Sequence, residues 1–291
     1  MREEQEMFEL ILKIAKEDER VRAVYLYGSR ANPNAAKDNY SDYDIAFVVT
    51  ETSSFIENTN WISNFGDIVI VFESHWNRIQ FGLTGESIDF LRRYIWCMLF
   101  KDGNRVDLIM ETKEEAMKNI FVDNKQTILL LDKDGILPEI PLPNDEDCYA
   151  KKPDKDKYKA CCNAFWWFLN DVAKGIARDQ LPYAKEQFNS LVRYTLNQMT
   201  DWYIGVQTHF SVSPGKKGRY YKKYLPKDIY DLYTKTYSDS NYTNFWNAIF
   251  SSCELFKKLT SSVGDYFGFV YNHQEENNMM DYLIKMKNET L

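Results

Sequence analysis

Tyr27-Gly28-Ser29-Arg30 (YGSR) closes one hydrophobic run and Asp42-Tyr43-Asp44 (DYD) opens the next, with twelve residues between Ser29 and Asp42. On a strand, residues i and i+2 project from the same face, so Asp42 and Asp44 present two carboxylates side by side while Tyr43 points the other way. Carboxylates this close repel each other, and a shared divalent cation, Mg²⁺ before others, is the simplest relief. A third acid, Asp107, interrupts the apolar strand candidate Arg105-Val106-Asp107-Leu108-Ile109. If that strand lies beside the first, three acids can hold two Mg²⁺ ions for in-line displacement at phosphorus. One ion then activates the attacking oxygen and the other neutralises the leaving group. Gly28 at a strand end lets backbone N–H groups approach a phosphate, Ser29 adds a hydroxyl donor, and Arg30 offers a bidentate cationic partner. Each piece has an ordinary reading as well. Gly-Ser is a common turn pair, a DxD pair is often a solvated strand end, and Asp107 can simply pair with Arg105. The combination favours an active site in which a triphosphate cradle faces a metal-binding pair.

Outward from this site the chain reads in two halves. Phe8, Ile11, Leu12 and Ala15 recur at helical spacing, so residues 3–16 form an amphipathic opening helix. Residues 24–27, 44–49, 67–72, 94–100 and 106–110 are strand candidates rich in Val, Ile, Phe and Tyr, and a helix follows near residues 113–119. Residues 138–153 then hold four of the chain's eight prolines and an acidic run at 145–147, which forbids a helix and marks a connector. Beyond it, residues 160–177, 184–208 and 242–259 carry apolar and aromatic side chains at three- and four-residue spacing. The expected architecture is α+β: a domain over 1–137 with a mixed β-sheet flanked by helices, a linker over 138–153, and an all-α helical bundle over 154–291.

With 44% hydrophobic and 15% aromatic residues, 291 residues suffice for two packed cores. No apolar run has the length of a membrane span and no signal-peptide pattern opens the chain, so a cytoplasmic protein is expected. The formal net charge of −7 disfavours holding long nucleic acid through an overall field and suits a cationic ligand better. The five cysteines form no CxxC or zinc spacing. Adjacent Cys161 and Cys162 diverge by about 100° on a helix and are read as core. His75, His209 and His273 are scattered and receive no role.

The chain resembles the nucleotidyltransferase superfamily of the DNA polymerase β type and, more narrowly, the aminoglycoside 6-adenylyltransferases. The resemblance runs through EEQEM, DERVR, GSRAN, DYDIAFVV, DGNRVDL and LLDKD in the first half, and CCNAFWW, KGIARDQL, VRYTL and GKKGRYYKKYL in the second. It implies that Asp42, Asp44 and Asp107 are metal ligands, that Gly28, Ser29 and Arg30 bind the phosphates of ATP, and that the helical half closes over an aminoglycoside acceptor, streptomycin being the type substrate. A monomer is expected. In residues 180–196, Glu186, Asn189 and Arg193 fall at i, i+3 and i+7 on one helical face, where Glu186 can serve as general base or pair with an ammonium group of the acceptor. The basic, aromatic stretch 215–224 reads as a solvated helix face, a nucleic-acid contact, or, with the resemblance, a nucleotide or pyrophosphate contact through Lys216. The chain departs from the family pattern at Tyr27, where an acid is expected, and at Lys159, Ala160 and Ala164 around the paired cysteines. Loss of those acids bears on the acceptor. A lincosamide, a nucleotide or a protein side chain are the alternatives, and a nucleotide-binding regulator without turnover is the reading from another class.

Overall fold

The computed structural model describes residues 1–74, 89–122 and 125–291, except for the side chains of residues 119, 121 and 122. His75 lies outside the described residues. The chain divides into two compact units, Met1–Asp145 and Glu146–Leu291.

In the first unit, helix α1 (Glu4–Glu17) begins at a capping box in which the Glu3 backbone N–H donates to the Glu6 carboxylate, and it buries Met7, Ile11 and Ala15. The strands are β1 (Val21–Tyr27), β2 (Tyr43–Val49), β3 (Ile68–Glu73), β4 (Arg93–Phe100), β5 (Arg105–Thr112) and β6 (Thr127–Asp132). A short helix α2 (Ser53–Glu57) follows β2, and α3 (Lys113–Val122) follows β5. The sheet order is β3-β4-β5-β2-β1-β6, mixed because β2 and β5 run parallel while every other pair is antiparallel.

Strand alternation gives the sheet two different faces. Val24, Leu26, Tyr43, Ile45, Phe47, Trp96 and Leu108 pack under α1 and the helical turns after β2 in a large aromatic core. The opposite parity carries Ala23, Tyr25, Ala46, Val48 and Ile109, packed with Ala116 and Ile120 of α3 and with Ile136, Leu137 and Ile140. This second face turns polar toward Asp44 and Asp107, and that end is where the site lies.

The second unit is helical: α4 (Lys155–Ala177), α5 (Leu181–Gln187), α6 (Arg193–Gln207), α7 (Tyr221–Tyr224), α8 (Lys227–Thr234), α9 (Tyr242–Phe267) and α10 (His273–Thr290). Its core is aromatic, with Phe165 stacked on Phe256 at 3.7 Å and Phe188 edge-on to Phe245. Gly175 of α4 admits α5 at close range, since a Cβ there would lie 2.9 Å from that of Ala184. Cys161, Cys162 and Cys253 are buried thiols. The expected continuous helix over 184–208 is corrected: a π-helical turn, Phe188–Val192, separates α5 from α6. The extra residue rotates α6 relative to α5, so Glu186 and Asn189 stay exposed while Arg193 turns inward to donate to the Thr236 carbonyl at 2.9 Å and to stack on Tyr237. The three do not share one face.

Candidate active site

Four strands bring four side chains into one row. Cα pairing across the sheet runs Cys97 to Asp107, Asp107 to Asp44, and Asp44 to Tyr27. Because residues paired across a sheet project from the same face, all four point to its polar end. The parallel register of β2 and β5 therefore does what the sequence required of it: it sets Asp107 beside Asp44. Asp42, immediately before β2, and Arg105, the first residue of β5, flank the row on its solvent side, their side chains 39% and 45% exposed against 17% for Asp107.

Gly28 ends β1 with φ +73°, a left-handed conformation, and its N–H donates to the carbonyl of Gln126 at 3.1 Å. A Cβ at this position would stand 2.5 Å from Asp44 Oδ2. Glycine is thus demanded twice, by the backbone and by the carboxylate pressed against it. Ser29 continues the turn and its backbone N–H donates to Asp44.

Electrostatics follow from this crowding. Burial, then Asp107 and Asp42, raise the Asp44 carboxyl to about 6, with Arg105 and the Ser29 N–H opposing. The Tyr27 phenol is pushed upward by burial and by Asp44 and Asp107, so it stands in the row as a neutral hydroxyl. Cys97 is raised to about 11 by burial and by Asp107, which keeps it a thiol. Arg105 donates from Nε to Asp107 Oδ1 at 2.8 Å and from Nη2 to Oδ2 at 2.6 Å, and its Nη1 lies 3.5 Å from Asp42 Oδ2.

Arg30 is placed differently from the expected phosphate partner. Its side chain is 4% exposed, lies 3.8 Å over the Tyr43 ring, and pairs with Glu4 at 3.3 Å. The guanidinium donates to the backbone carbonyls of Ser41 at 2.7 Å and Asp42 at 3.1 Å. It therefore pins the returning end of the 31–41 loop and sets the backbone of Asp42, on the side of β2 where Tyr43 points. Asn34 holds the same loop from its other end, donating to buried Asp145 at 2.8 Å.

Glu186 and Lys216 belong to the second unit. The exposed Glu186 carboxylate accepts from the Ser190 hydroxyl across the π turn. Lys216 lies in a loop between Gly215 at φ +77° and Lys217 at φ +57°, so the stretch begins as a sharp turn where a basic helix face was one expectation. That loop lines a cleft of about 470 Å³ with Gln198, Asp201 and Trp202, and Asp201 accepts from the Tyr221 hydroxyl at 2.7 Å.

The donor set at Asp42, Asp44 and Asp107 has the chemistry of a hard dication site, three carboxylates with a glycine clearing room at one of them. As they stand, among the described residues no three acidic, cysteine or histidine side chains are assembled as a metal cage. Arg105 bridges two of the three acids instead, the pairing foreseen as the ordinary reading of Asp107. Cys97 is the member of the site that sequence reasoning left out, while Tyr27 entered only as a departure from the family pattern and Arg105 only as a partner for Asp107. The i, i+2 parity of Arg105 and Asp107 was the one local signal for any of them.

The family profile described as "Streptomycin adenylyltransferase" matches residues 1–286. The aminoglycoside 6-adenylyltransferase of Bacillus subtilis (strain 168) is 34% identical, with 95% of each chain covered. That of Campylobacter jejuni is 32% identical over 99% of this chain and 96% of the relative. A crystal structure of an aminoglycoside 6-adenyltransferase from Bacillus subtilis aligns over 99% of both chains at 28% identity with a TM-score of 0.47. By the family profile over residues 1–286 and the relatives above 30% identity across nearly the whole chain, the chain belongs to the streptomycin adenylyltransferase family and is a nucleotidyltransferase.

Proposed function

We propose that the protein transfers AMP from ATP to a hydroxyl of an aminoglycoside, in the first instance the 6-hydroxyl of streptomycin, and so inactivates the antibiotic. The acceptor oxygen forms the new bond to the α-phosphorus, the bond from that phosphorus to the bridging oxygen breaks, pyrophosphate leaves, and the hydroxyl proton passes to a base. The observation that carries this reading is the Asp44–Asp107 register pair with Gly28 against Asp44. Mg²⁺ held by Asp42, Asp44 and Asp107 would neutralise charge on the phosphates and lower the pKa of the attacking oxygen.

The chain's own residues then divide the work. Gly28 and Ser29 offer the turn at which phosphate oxygens approach the backbone, and Arg30 fixes Asp42 from behind. Tyr27 closes the row without adding a fourth charge. We assign Glu186 as the base for the acceptor proton and Lys216 as a cationic contact for the leaving pyrophosphate. Glu275, which accepts from Asn163 at 3.4 Å, lines a cleft of about 580 Å³ together with Lys155 and Lys159, so the charge of that cleft does not itself select a cationic acceptor. Among the described residues no helix is long and apolar enough to cross a membrane, and a monomer working in the cytoplasm is our reading.

The decisive experiment is pyrophosphate release from Mg·ATP with and without streptomycin, with Asp44→Asn as control. Streptomycin-dependent release that the substitution abolishes is the expected result. Release with another acceptor alone would reassign the substrate, and release by Asp44→Asn at the wild-type rate would remove the acid cluster from the chemistry.

A further inference from the structure

Arg105 is drawn into contact with two of the three acids. Its planar fork takes both oxygens of Asp107, at 2.8 and 2.6 Å, and its remaining nitrogen stands 3.5 Å from Asp42. Strand parity explains how it gets there. Arg105 and Asp107 are i and i+2 on β5 and share a face, while Arg105, at the strand's first position, keeps its long side chain partly in water. It is tethered firmly at Asp107 yet free on its solvent side to leave.

A dication and a guanidinium within a few ångströms of each other repel strongly, so both cannot occupy one carboxylate cluster at the distances seen here. We propose that Arg105 is the resident counter-cation of the cluster in the nucleotide-free enzyme. It holds the carboxylates of Asp107 and Asp42 in place, and a bare metal ion must displace it. The polyphosphate of a nucleotide offers the displaced guanidinium a replacement partner of matching bidentate geometry. Metal loading is thereby tied to nucleotide loading, and Arg105 is a positioning residue that acts through Asp107 and Asp42.

This inference rests on the metal reading of the acid cluster, and the test separates the two. Mn²⁺ is titrated into the nucleotide-free protein by calorimetry, with wild type, Arg105→Gln, Arg105→Lys and the double variant Arg105→Gln/Asp44→Asn. Wild type should bind Mn²⁺ weakly alone and more tightly when a non-hydrolysable ATP analogue is present. Arg105→Gln should bind Mn²⁺ alone roughly tenfold more tightly than wild type, the factor that loss of one charge-assisted competitor gives. Its affinity for the analogue should fall. Arg105→Lys keeps the charge without the fork and should lie between the two. Equal or weaker Mn²⁺ binding by both Arg105→Gln and Arg105→Lys overturns the proposal, leaving Arg105 as an orienting group for Asp107 alone. Unchanged Mn²⁺ binding in the double variant relative to Arg105→Gln overturns the metal reading itself. Arg105 lies at an exposed strand start, and the lysine variant keeps the test open if the glutamine variant folds poorly.

Discussion

Gly28→Ala isolates the contact on which the active-site reading turns. Two effects add at this position. An L-residue at φ +73° pays a left-handed penalty of roughly 1–2 kcal/mol. The new methyl would also stand 2.5 Å from Asp44 Oδ2, well inside van der Waals contact, so the carboxylate must retreat by about 0.5–1 Å. A misplacement of that size at a reacting centre is expected to cost about 10²-fold in turnover. Gly135→Ala is the matched control, since Gly135 is in the same unit at φ +62° and a Cβ there meets nothing within 4 Å. Both variants should lose the roughly 1–2 kcal/mol of the left-handed conformation, visible as a fall of several degrees in Tm at this size, and Gly28→Ala should lose more through its clash with Asp44. Only Gly28→Ala should also lose AMP transfer, measured as streptomycin-dependent pyrophosphate release well below each variant's Tm. If the two variants match in activity as well as in stability, the close approach of Gly28 to Asp44 has no part in the chemistry.

Three further substitutions test other parts of the structure. Arg30→Gln should destabilise the first unit by about 1–3 kcal/mol, because the backbone carbonyls of Ser41 and Asp42 lose a charged donor in a buried setting. Its kcat should fall well before its KM for ATP moves; a KM effect that dominates would return Arg30 to the phosphates. Glu186→Gln should lower kcat by about 10²-fold or more with little effect on Tm, the base role being worth that much and the side chain being exposed, and an unchanged kcat excludes it. The third concerns pH. Burial raises the Asp201 carboxyl to about 6 in the folded chain, above its value in the unfolded one, so the native state holds the extra proton between about pH 4 and 6. Stability therefore falls as pH rises through that window, by up to about 3 kcal/mol. Asp201→Asn should match wild type at pH 4 and exceed it at pH 7.5 in chemical denaturation. A variant less stable than wild type at pH 7.5 shows that the ionised carboxylate is needed by the Tyr221 hydroxyl it accepts from.

The parts legible in the sequence were those that short-range geometry dictates. Each strand in the first half from β1 to β5 appeared within a few residues of its observed bounds, because Val, Ile and aromatic runs broken by turn residues admit few other readings. The helix α10 escaped because its apolar signal is thin: it buries Glu276 and Leu283 and leans on the core through Met279, Met280 and Tyr282. The π turn escaped because one extra residue leaves no mark on composition, yet it moved Arg193 from the face of Glu186 into the core. Long-range partners were invisible for the same reason. Nothing near Arg30 in sequence announces Glu4 or Tyr43 as its neighbours, and an arginine beside Gly-Ser reads as a phosphate ligand until its guanidinium is found under the sheet.

Arg30 and Arg105 together show why the acid cluster can stand without a metal ion. Three carboxylates converging on one strand end repel one another, and Asp44 is raised first by its burial and then by Asp107 and Asp42. Two arginines offset the repulsion from opposite sides of β2. Arg30 holds the backbone of Asp42 from the buried face, where its charge is tied to Glu4 and cannot leave. Arg105 holds the carboxylates from the solvent face, where it can. The buried arginine therefore belongs to the fold and the exposed one to the reaction cycle, a division that burial alone, 4% against 45%, decides. Exchange of the two behaviours by mutation is not expected: substituting Arg30 should act on stability first, and substituting Arg105 on the order in which metal and nucleotide bind.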